Sequence, residues 1–331
     1  MIKFKFFAIL LLPIIFLFSC KTTETIIIED QYRLSSFSIL DGSENLIQKV
    51  NITYNEMNKP AEIIAKGASG EVFNIKSMYY TNSGKLSNLN NSTDNSNYVK
   101  TEYFYDDSDF LIKVSITDEK GEALSTNTYI NDERGNPVEW ISKHDKSKEQ
   151  IHFKMVYDDF NRVIESTELD ADLSMIYYSA SEYDPSGNEL SYTIYSPEGN
   201  IDQQLLNFYF ADELIETQVK DEQGNILFRT EYELNQLNKP INISSYNQYN
   251  DRTDWIDLEY DINGREILRK SFDFDGNLNE KIQKSYDEKG NLIEMIFYDE
   301  NDQIISITRN NYSIGVLNME AEEFNSLVYK Y

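Results

Sequence analysis

A repeat of about 26 residues runs through most of the chain and restricts the possible folds more than any other feature. Most units have an anchor residue four positions before a Gly, Asn or Asp at a turn; the exceptions are Tyr209, whose turn is one residue shorter, and Tyr312, whose Gly comes early. Successive anchors are 26, 25, 26, 26, 26, 26, 25, 26, 26 and 26 residues apart. The eleven anchors, nine of which are tyrosine, are Tyr54, Tyr80, Tyr105, Asn131, Tyr157, Tyr183, Tyr209, Leu234, Tyr260, Tyr286 and Tyr312. Such regularity predicts an array of similar units.

Turn chemistry follows the anchors. The clearest copies have Asp at the first turn position and Gly three residues later, as in Asp132–Gly135 and Asp287–Gly290. The Asp side chain accepts hydrogen bonds from the backbone ahead of it, and Gly adopts the positive φ that closes a tight hairpin. Where Gly is absent, residues that tolerate positive φ take its place, namely Asn58, Asp109, Asn161 and Asn238. A second turn falls midway through many units, at Asp118–Gly121, Ser196–Gly199, Asp221–Gly224, Asp273–Gly276 and Asp299–Asp302.

Between the turns, apolar and polar residues alternate, as in Ile112–Ile116 and Ile215–Lys220. This period of two is typical of a half-buried strand. One strand and turn every 13 residues or so gives on the order of twenty strands. We therefore predict an all-β fold, an antiparallel β-meander repeat array of about 26-residue units in a twisted or curled extended sheet. A parallel β-solenoid is the alternative, which the hairpin turns disfavour, and the choice between ribbon and closed shell stays open.

Two segments resemble the YD repeats of the Rhs family and, more loosely, MORN-variant repeats: YDEKGNLIEMIFYDENDQIISITRNNY (286–312) and YDPSGNELSYTIYSPEGNI (183–201). The resemblance covers roughly residues 46–315 and rests on Tyr, Asp, Gly and Asn at turns, so it implies an architecture more than an activity. Rhs proteins build a shell around a toxic C-terminal domain, for which the sequence after residue 315 is too short. A shell-like or antitoxin-like role is one hypothesis that the resemblance implies.

The first 19 residues have the pattern of an export signal, in which two lysines precede an apolar run over residues 6–18. This run is shorter than the roughly 20 residues of a membrane-spanning helix. Residues 17–20 (LFSC) resemble the lipobox of bacterial lipoproteins, which implies that Cys20 becomes the lipidated first residue of the mature protein. An ordinary cleaved signal that leaves a free thiol is the alternative. Because Lys21 follows the cysteine, the resemblance implies an outer-membrane location in the cell envelope.

The chain is predicted to have four regions: a signal peptide (1–19), a lipidated N-terminus and tether (20–45), a YD-like repeat domain (46–315) and a C-terminal cap (316–331). Residues 86–97 are rich in Asn and Ser and are predicted to form an exposed loop. Residues 318–324 are predicted to form a short helix with acidic residues in its first turn. Terminal repeats need such a cap because their outer edge has no neighbour.

The formal net charge is −27, from 30 Lys and Arg against 57 Asp and Glu, and it excludes nucleic-acid binding through a basic surface. The single cysteine permits neither an intrachain disulfide nor a cysteine-based zinc site. His144 and His152 are expected to be surface residues, because no cluster of ligands accompanies them. Residues 273–277 resemble part of a calcium loop, but the hairpin turn explains the same residues, and weak calcium binding is the alternative. We therefore predict no cofactor and no metal site.

The sequence contains no HExxH, GxSxG or GxxxxGK[ST] motif, so we predict no catalytic residue and expect a protein that is not an enzyme. Trp140 and Trp255 are the candidate ligand-stacking residues, and packing within the sheet is the alternative for aromatic residues. The leading hypothesis is a lipid-anchored envelope protein whose repeat array is a binding or structural scaffold for a protein or polysaccharide partner. Its rival is an envelope hydrolase that acts on polysaccharide with a pair of carboxylates.

Overall fold

The computed structural model describes residues 32–329 except 94–96, 146 and 148. Within this part of the chain it has 22 β-strands and one helix. The first eleven strands are β1 (Tyr32–Asp41), β2 (Leu46–Tyr54), β3 (Pro60–Gly67), β4 (Val72–Tyr80), β5 (Leu86–Thr93), β6 (Asn97–Tyr105), β7 (Leu111–Asp118), β8 (Ala123–Asn131), β9 (Pro137–His144), β10 (Gln150–Tyr157) and β11 (Val163–Leu169). The others are β12 (Met175–Tyr183), β13 (Glu189–Tyr195), β14 (Ile201–Phe210), β15 (Glu213–Asp221), β16 (Ile226–Leu234), β17 (Pro240–Asn247), β18 (Arg252–Tyr260), β19 (Glu266–Asp273), β20 (Leu278–Tyr286), β21 (Leu292–Tyr298), β22 (Ile304–Ile314) and the helix α1 (Ala321–Tyr329).

The strands form one closed sheet. Each strand pairs antiparallel with the next strand along the chain, because a hairpin turn reverses the chain between them. The last strand, β22, also pairs antiparallel with β1, with Phe37 opposite Asn310 and Ile39 opposite Thr308. The predicted all-β meander is confirmed, and the array is a closed barrel rather than an open extended sheet. All strand pairs in the described part of the chain are antiparallel, so the β-solenoid alternative is wrong.

The closed sheet has two rims. One rim carries the turns that follow the anchors, together with Tyr32, which begins β1 opposite Ile314 at the end of β22. We call this rim the entry rim. The opposite rim carries the turns midway through the units, and we call it the far rim. At both rims the first turn residue accepts backbone N–H groups: Asp287, for example, accepts from Lys289 at 2.9 Å and from Asn291 at 2.8 Å.

The anchor tyrosines form a ladder of hydrogen bonds along the entry rim. Each hydroxyl donates to a backbone carbonyl of the preceding unit, as Tyr183 does to Val163 at 3.0 Å. All nine anchor tyrosines make this bond. At the other two anchors, Asn131 donates its amide to the Leu111 carbonyl at 2.9 Å, and Leu234 has no side-chain donor. The ladder explains the nearly constant spacing of the anchors, because each rung joins two consecutive units.

A cation from the preceding turn lies over several of these rings. The guanidinium carbon of Arg162 is 4.4 Å from the ring centroid of Tyr183, and that of Arg265 is 4.7 Å from the centroid of Tyr286. Arg162 also pairs with Asp158, the first residue of its own turn, at 2.6 Å. In these units a hydrogen bond and a cation–π contact together join one repeat to the next.

The main apolar cluster lies between α1 and the first strands. The helix packs Phe324, Leu327 and Val328 against buried side chains of the sheet, namely Leu34, Phe37, Val50, Ile52, Ile63, Ala65, Met78 and Leu86. Lys76 is buried here and donates its amino group to the Leu327 carbonyl at 2.8 Å, which satisfies one of the free carbonyls at the helix end. Burial lowers the pKa of Lys76. A helix does form near the predicted position, but it packs onto a face of the sheet, since a closed sheet has no edge strand to cap.

Two predicted boundaries differ from the structure. Residues 32–41, which fall in the predicted tether, form β1 because they pair with both β2 and β22. Residues 86–93, predicted to lie in a loop, form β5 between β4 and β6. Asn and Ser are weak strand formers, but backbone ladders on both sides hold this segment, and Asn74 donates its side-chain amide to Asn91 at 2.8 Å.

Away from α1 the sheet is not covered by a second layer. Strands β14–β16 and β19–β21 contain no buried residue, whereas the strands beneath the helix contain most of the fully buried ones. Solvent therefore reaches both faces of the sheet in this region. In strands β14–β21, all residues except Ser244 and Leu258 are at least partly exposed.

Candidate binding surface at the far rim

Trp255, one of the two predicted stacking residues, lies on β18 near the far rim. Its indole stacks on Phe272 of β19, with ring centroids 4.9 Å apart and ring planes 15° apart. The guanidinium carbon of Arg252 lies 3.8 Å from the centroid of the indole. Trp255 is half-buried, and both Phe272 and Arg252 lie in contact distance of its indole. The protein's own side chains therefore already cover part of the ring surface that a ligand would use.

The strand register explains how this stack forms. Trp255 and Phe272 are directly opposite each other in the β18–β19 pair, where cross-strand rings come into contact. Between β17 and β18, Ser245 is opposite Asp254 whereas Tyr246 is opposite Arg252. This irregularity leaves one extra residue on β18 and turns Arg252 onto the same face as Trp255.

Three more aromatic residues lie on the neighbouring strand β17 and in the adjoining turns, and together with the stack we call them the far-rim aromatic cluster: Tyr246, Tyr249, Trp255, Phe272 and Phe274. Tyr249 and Phe274 lie in the successive far-rim turns 247–251 and 273–277 and are 75% and 71% exposed. Successive turns of one rim are two strands apart, or about 10 Å. The cluster is therefore a surface patch with two fully presented rings beside an ordered stack.

The two arginines beside the cluster differ in whether they form an ion pair within the chain. Arg229 lies over the Tyr246 ring at 4.5 Å and also pairs with Glu231 at 2.7 Å. Arg252, in contrast, forms no ion pair with a carboxylate in the described part of the chain. Its N–H donors are therefore available to an acceptor on a partner.

The turn at 273–277 uses its carboxylate internally. Oδ1 of Asp273 accepts the backbone N–H groups of Asp275 at 3.0 Å and of Asn277 at 2.8 Å. The side-chain amide of Asn277 also donates to Asp273, and this bond is the main cause that lowers the pKa of Asp273. These bonds support the hairpin interpretation of residues 273–277 over the calcium-loop interpretation.

Trp140, the other predicted stacking residue, is not part of this surface. It lies on β9 and stacks on Phe153 of β10, with centroids 5.5 Å apart and planes 8° apart. Its indole N–H donates to Oδ1 of Asn127 at 3.3 Å. Trp140 is opposite Tyr129 and so shares the sheet face of the anchors, whereas Trp255 is on the other face. The structure does not bring the two tryptophans together.

The two histidines have different environments. His144 is exposed, but His152 is only 3% exposed, so the expectation of a surface residue is wrong for His152. Its Nε2 lies 2.5 Å from Oε1 of Glu139, and it is opposite Leu169 on the other neighbouring strand. Side chains of the two neighbouring strands therefore bury His152. The spacing of residues in the sequence does not predict this burial. Over the described residues, no group of three or more His, Cys, Asp or Glu side chains is placed to hold a metal ion.

Most carboxylates with a perturbed pKa are turn residues in which the charged form is favoured. In Asp184, for example, the hydrogen bond from Asn188 is the main cause that lowers the pKa. Glu189 behaves in the opposite way, because burial raises its pKa by more than the hydrogen bond from Ser181, at 2.8 Å, lowers it. A general acid needs a raised pKa, so Glu189 is the residue that a hydrolase mechanism would use first.

The predicted signal peptide and Cys20 lie outside the described residues. No helix among residues 32–329, in the parts described, is long and apolar enough to cross a membrane.

The sequence alone does not single out Tyr249 and Phe274. A usable signal exists, because both are large aromatic residues at turn positions that elsewhere hold polar residues. Tyr249 is at the position of Lys120 and Gln223 in other far-rim turns, and Phe274 is at the position of Glu119 and Glu222. Turn chemistry does not require a ring at these positions. The hairpin itself therefore does not account for an aromatic residue there.

No protein-family model matches the sequence, and no curated protein matches it. Among solved structures, the chain is similar to the TcdB2-TccC3-Cdc42 complex, with 12% identity and a TM-score of 0.31 over 79% of this chain and 18% of that one. It is also similar to the Photorhabdus luminescens Tc holotoxin pore, with 11% identity and a TM-score of 0.30 over 88% of this chain and 20% of that one. A porin-like protein from Bacteroides uniformis ATCC 8492 has 10% identity and a TM-score of 0.30 over 85% of this chain and 96% of that one. The chain thus spans about a fifth of the toxin chains, and similarity at these scores carries no functional inference.

Proposed function

We propose that the chain is a lipid-anchored protein of the bacterial cell envelope, held at the outer membrane through Cys20, whose β-repeat array is a scaffold that binds a protein or polysaccharide partner. The far-rim aromatic cluster with Arg252 is the observation that carries the binding role. The lipid anchor rests on the sequence of residues 17–20.

The composition of the cluster supports a binding role. Aromatic and arginine side chains are enriched where proteins contact partners. Aromatic rings combine a large contact area with few rotatable bonds, and arginine supplies directional donors. Tyr249 and Phe274 contribute little to the fold, since most of their surface is in water. The same planar rings suit both sugar rings and apolar side chains of another protein. Arg252 adds hydrogen-bond donors beside them.

The rigidity of the array supports a scaffold role. Hydrogen bonds join consecutive units along the entry rim, and the sheet closes on itself through β1 and β22. A preorganised surface loses little conformational entropy when it binds. The charge of −27 favours neutral or basic partners and disfavours nucleic acids.

Partner binding is tested with residues 20–331 carrying Cys20→Ser, immobilised and exposed to a panel of envelope polysaccharides and to envelope protein extracts. The double variant Tyr249→Ser/Phe274→Ser is expected to lose captured partner by at least about tenfold. The matched control, Leu173→Ser/Ile305→Ser, replaces two exposed apolar residues near the same rim but outside the cluster and should leave capture unchanged. Equal capture by both double variants would disprove the role of the cluster.

The anchor and its location are tested separately. Metabolic labelling with a fatty-acid analogue should modify the full-length chain and not its Cys20→Ser variant. Protease added to intact cells then tells whether the array faces outward: degradation before the envelope is opened means contact with partners outside the cell. Protection until the envelope is opened restricts the partner to the periplasm.

A hydrolase that acts on polysaccharide is the second candidate, and the raised pKa of Glu189 is the observation in its favour. Turnover of an envelope polysaccharide by the purified chain, abolished by Glu189→Gln, would replace the scaffold role with a catalytic one. Binding without turnover supports the scaffold.

A further inference from the structure

Exposed apolar side chains lie on three successive turns of the entry rim. Phe210 ends β14, Leu237 lies in the β16–β17 turn and Ile262 lies in the β18–β19 turn, and they are 72%, 64% and 96% exposed. Successive turns of a rim are about 10 Å apart, so the three side chains span an arc of about 20 Å. Single exposed apolar residues need no explanation, but an arc of three in or directly beside successive turns indicates a surface that something covers.

Hairpin chemistry does not account for these residues. Corresponding turns of the same rim have polar side chains at their tips, for example Glu133, Ser186 and Lys289. The turns that hold Leu237 and Ile262 close through the first residue and the residue with positive φ, and the positions between them are free to vary. Phe210 instead ends β14 beside the two-residue turn Ala211–Asp212, where the positive φ of both turn residues makes the reversal. The fold therefore does not require apolar residues at these positions. A contact outside the entry rim would explain Phe210, Leu237 and Ile262.

The first described residue of the chain, Tyr32, lies at the entry rim, and this position indicates what contacts the rim. Tyr32 begins β1 at the entry rim, and β1 is four strand spacings from β19 through β22. Eleven residues, 21–31, separate Tyr32 from Cys20, and this length of chain spans at most about 40 Å. A strand of nine residues is about 30 Å long. The chain joins the sheet at the entry rim, so a bilayer that holds a lipid on Cys20 can lie against this rim without extending the segment, whereas contact with the far rim would use about 30 Å of its maximum span.

We propose that the entry rim docks on the bilayer, with Phe210, Leu237 and Ile262 inserted at the boundary between lipid headgroups and acyl chains. This inference rests on the proposed lipid anchor at Cys20. Aromatic and aliphatic side chains on a soluble surface bind that boundary by burying apolar area, and one acyl chain with a second membrane contact holds a protein more firmly than either alone. The docked rim also orients the array, so that the far-rim aromatic cluster points away from the membrane.

The charge of the chain determines which lipids suit this rim. With a net charge of −27, the protein is repelled by anionic headgroups, so the contact relies on apolar insertion into neutral lipid. Binding to vesicles of phosphatidylcholine should therefore exceed binding to vesicles that also contain phosphatidylglycerol, and the difference should shrink as salt is added.

The test uses residues 20–331 with Cys20→Ser, so that no covalent lipid contributes, and sedimentation with phosphatidylcholine vesicles at millimolar lipid. The triple variant Phe210→Ser/Leu237→Ser/Ile262→Ser should reduce the bound fraction at least tenfold at limiting lipid. The matched control Ile47→Ser/Leu173→Ser/Ile305→Ser changes three exposed aliphatic residues near the far rim and should bind like the parent. Thermal unfolding checks that each triple variant folds, which is expected because all six side chains are exposed.

Absence of binding by the parent, or equal loss in both triple variants, would overturn the docking of the entry rim. Fatty-acid labelling of Cys20 is read independently. If labelling fails while the vesicle result holds, the lipid anchor is wrong and the rim contact stands. If labelling succeeds while the triple variants behave alike, the anchor stands and the rim contact is wrong.

Discussion

Tyr80 donates its hydroxyl to the carbonyl oxygen of Pro60 at 2.7 Å, across the boundary between two repeats. Tyr80→Phe leaves that carbonyl without its donor, and we expect the free energy of unfolding to fall by about 1 kcal/mol. Tyr79→Phe is the matched control, since the neighbouring ring is exposed, and its effect should be close to zero. Urea unfolding measures both, and equal effects at the two positions would show that the rung does not stabilise the array.

Leu234 is the anchor at which the ladder lacks a side-chain donor. By the spacing of the other rungs, a tyrosine here would reach the carbonyl of Leu214, which is opposite Tyr209 in the β14–β15 pair. Leu234→Tyr is therefore expected to raise the free energy of unfolding by about 1 kcal/mol. Leu234→Phe supplies the ring without the hydroxyl. If Tyr is no more stable than Phe at this position, the hydroxyl does not form the bond.

Leu173 and Gly199 occupy the same position in two far-rim turns, with φ of 65° and 86°. A leucine with positive φ is strained, so Leu173→Gly should stabilise the protein by about 1 kcal/mol, since the exposed side chain loses little packing. Gly199→Ala should destabilise it by a similar amount for the same backbone reason, because a Cβ added there meets no atom within 4 Å. Thermal unfolding of both variants tests the pair, and shifts in the same direction would contradict the argument.

Phe324 of α1 is 7% exposed and packs in the main apolar cluster. Phe324→Ala should cost about 3 kcal/mol, or less if the helix detaches from the sheet as a unit. Hydrogen exchange separates these cases, because detachment exposes the amides of α1 while β-strand amides stay protected. Phe274→Ala, at an exposed ring, is the control and should leave the unfolding midpoint unchanged.

Burial of Glu189 should make the free energy of unfolding fall as the pH rises. Because burial raises its pKa in the folded protein above the ordinary value of 4.5, the folded state binds the proton more tightly than the unfolded state. Stability from this group is fully present below pH 4.5 and is lost as the pH rises through the folded pKa. Glu189→Gln removes the charge and should be more stable than the parent at pH 7. The difference should vanish near pH 4, and a gap of the same size at both pH values would refute the assignment.

The repeat made much of the fold predictable. Tyr at anchors such as Tyr80 and Tyr183, with Asp and Gly at the following turns, predicts where strands end and that the chain reverses there. Closure was not predictable, because β1 follows no anchor of its own and its pairing with β22 joins residues nearly 280 apart, such as Leu34 and Tyr312. The residues of the Asn-rich β5 do not predict a strand for a related reason: pairing with the neighbouring strands β4 and β6 holds this segment extended.

The candidate surface was less predictable than the fold. Trp255 was identified by residue type, but the stack that covers part of its ring depends on an irregular register at Tyr246 and on the facing Phe272. Trp140 is a candidate for the same reason, but it lies on the other face of the sheet. The burial of His152 likewise depends on which strands flank it. Composition marks these residues as unusual, but only the pairing of strands determines what each one touches.

The antiparallel seam between β1 and β22 fixes how an array of this kind can change in size. If a single strand were gained or lost, the first and last strands would run in the same direction and their ladder would no longer match. Circumference can therefore grow or shrink only by whole hairpins, which is the length of one repeat. Duplication or deletion of a complete unit is the genetic event that such a ring tolerates.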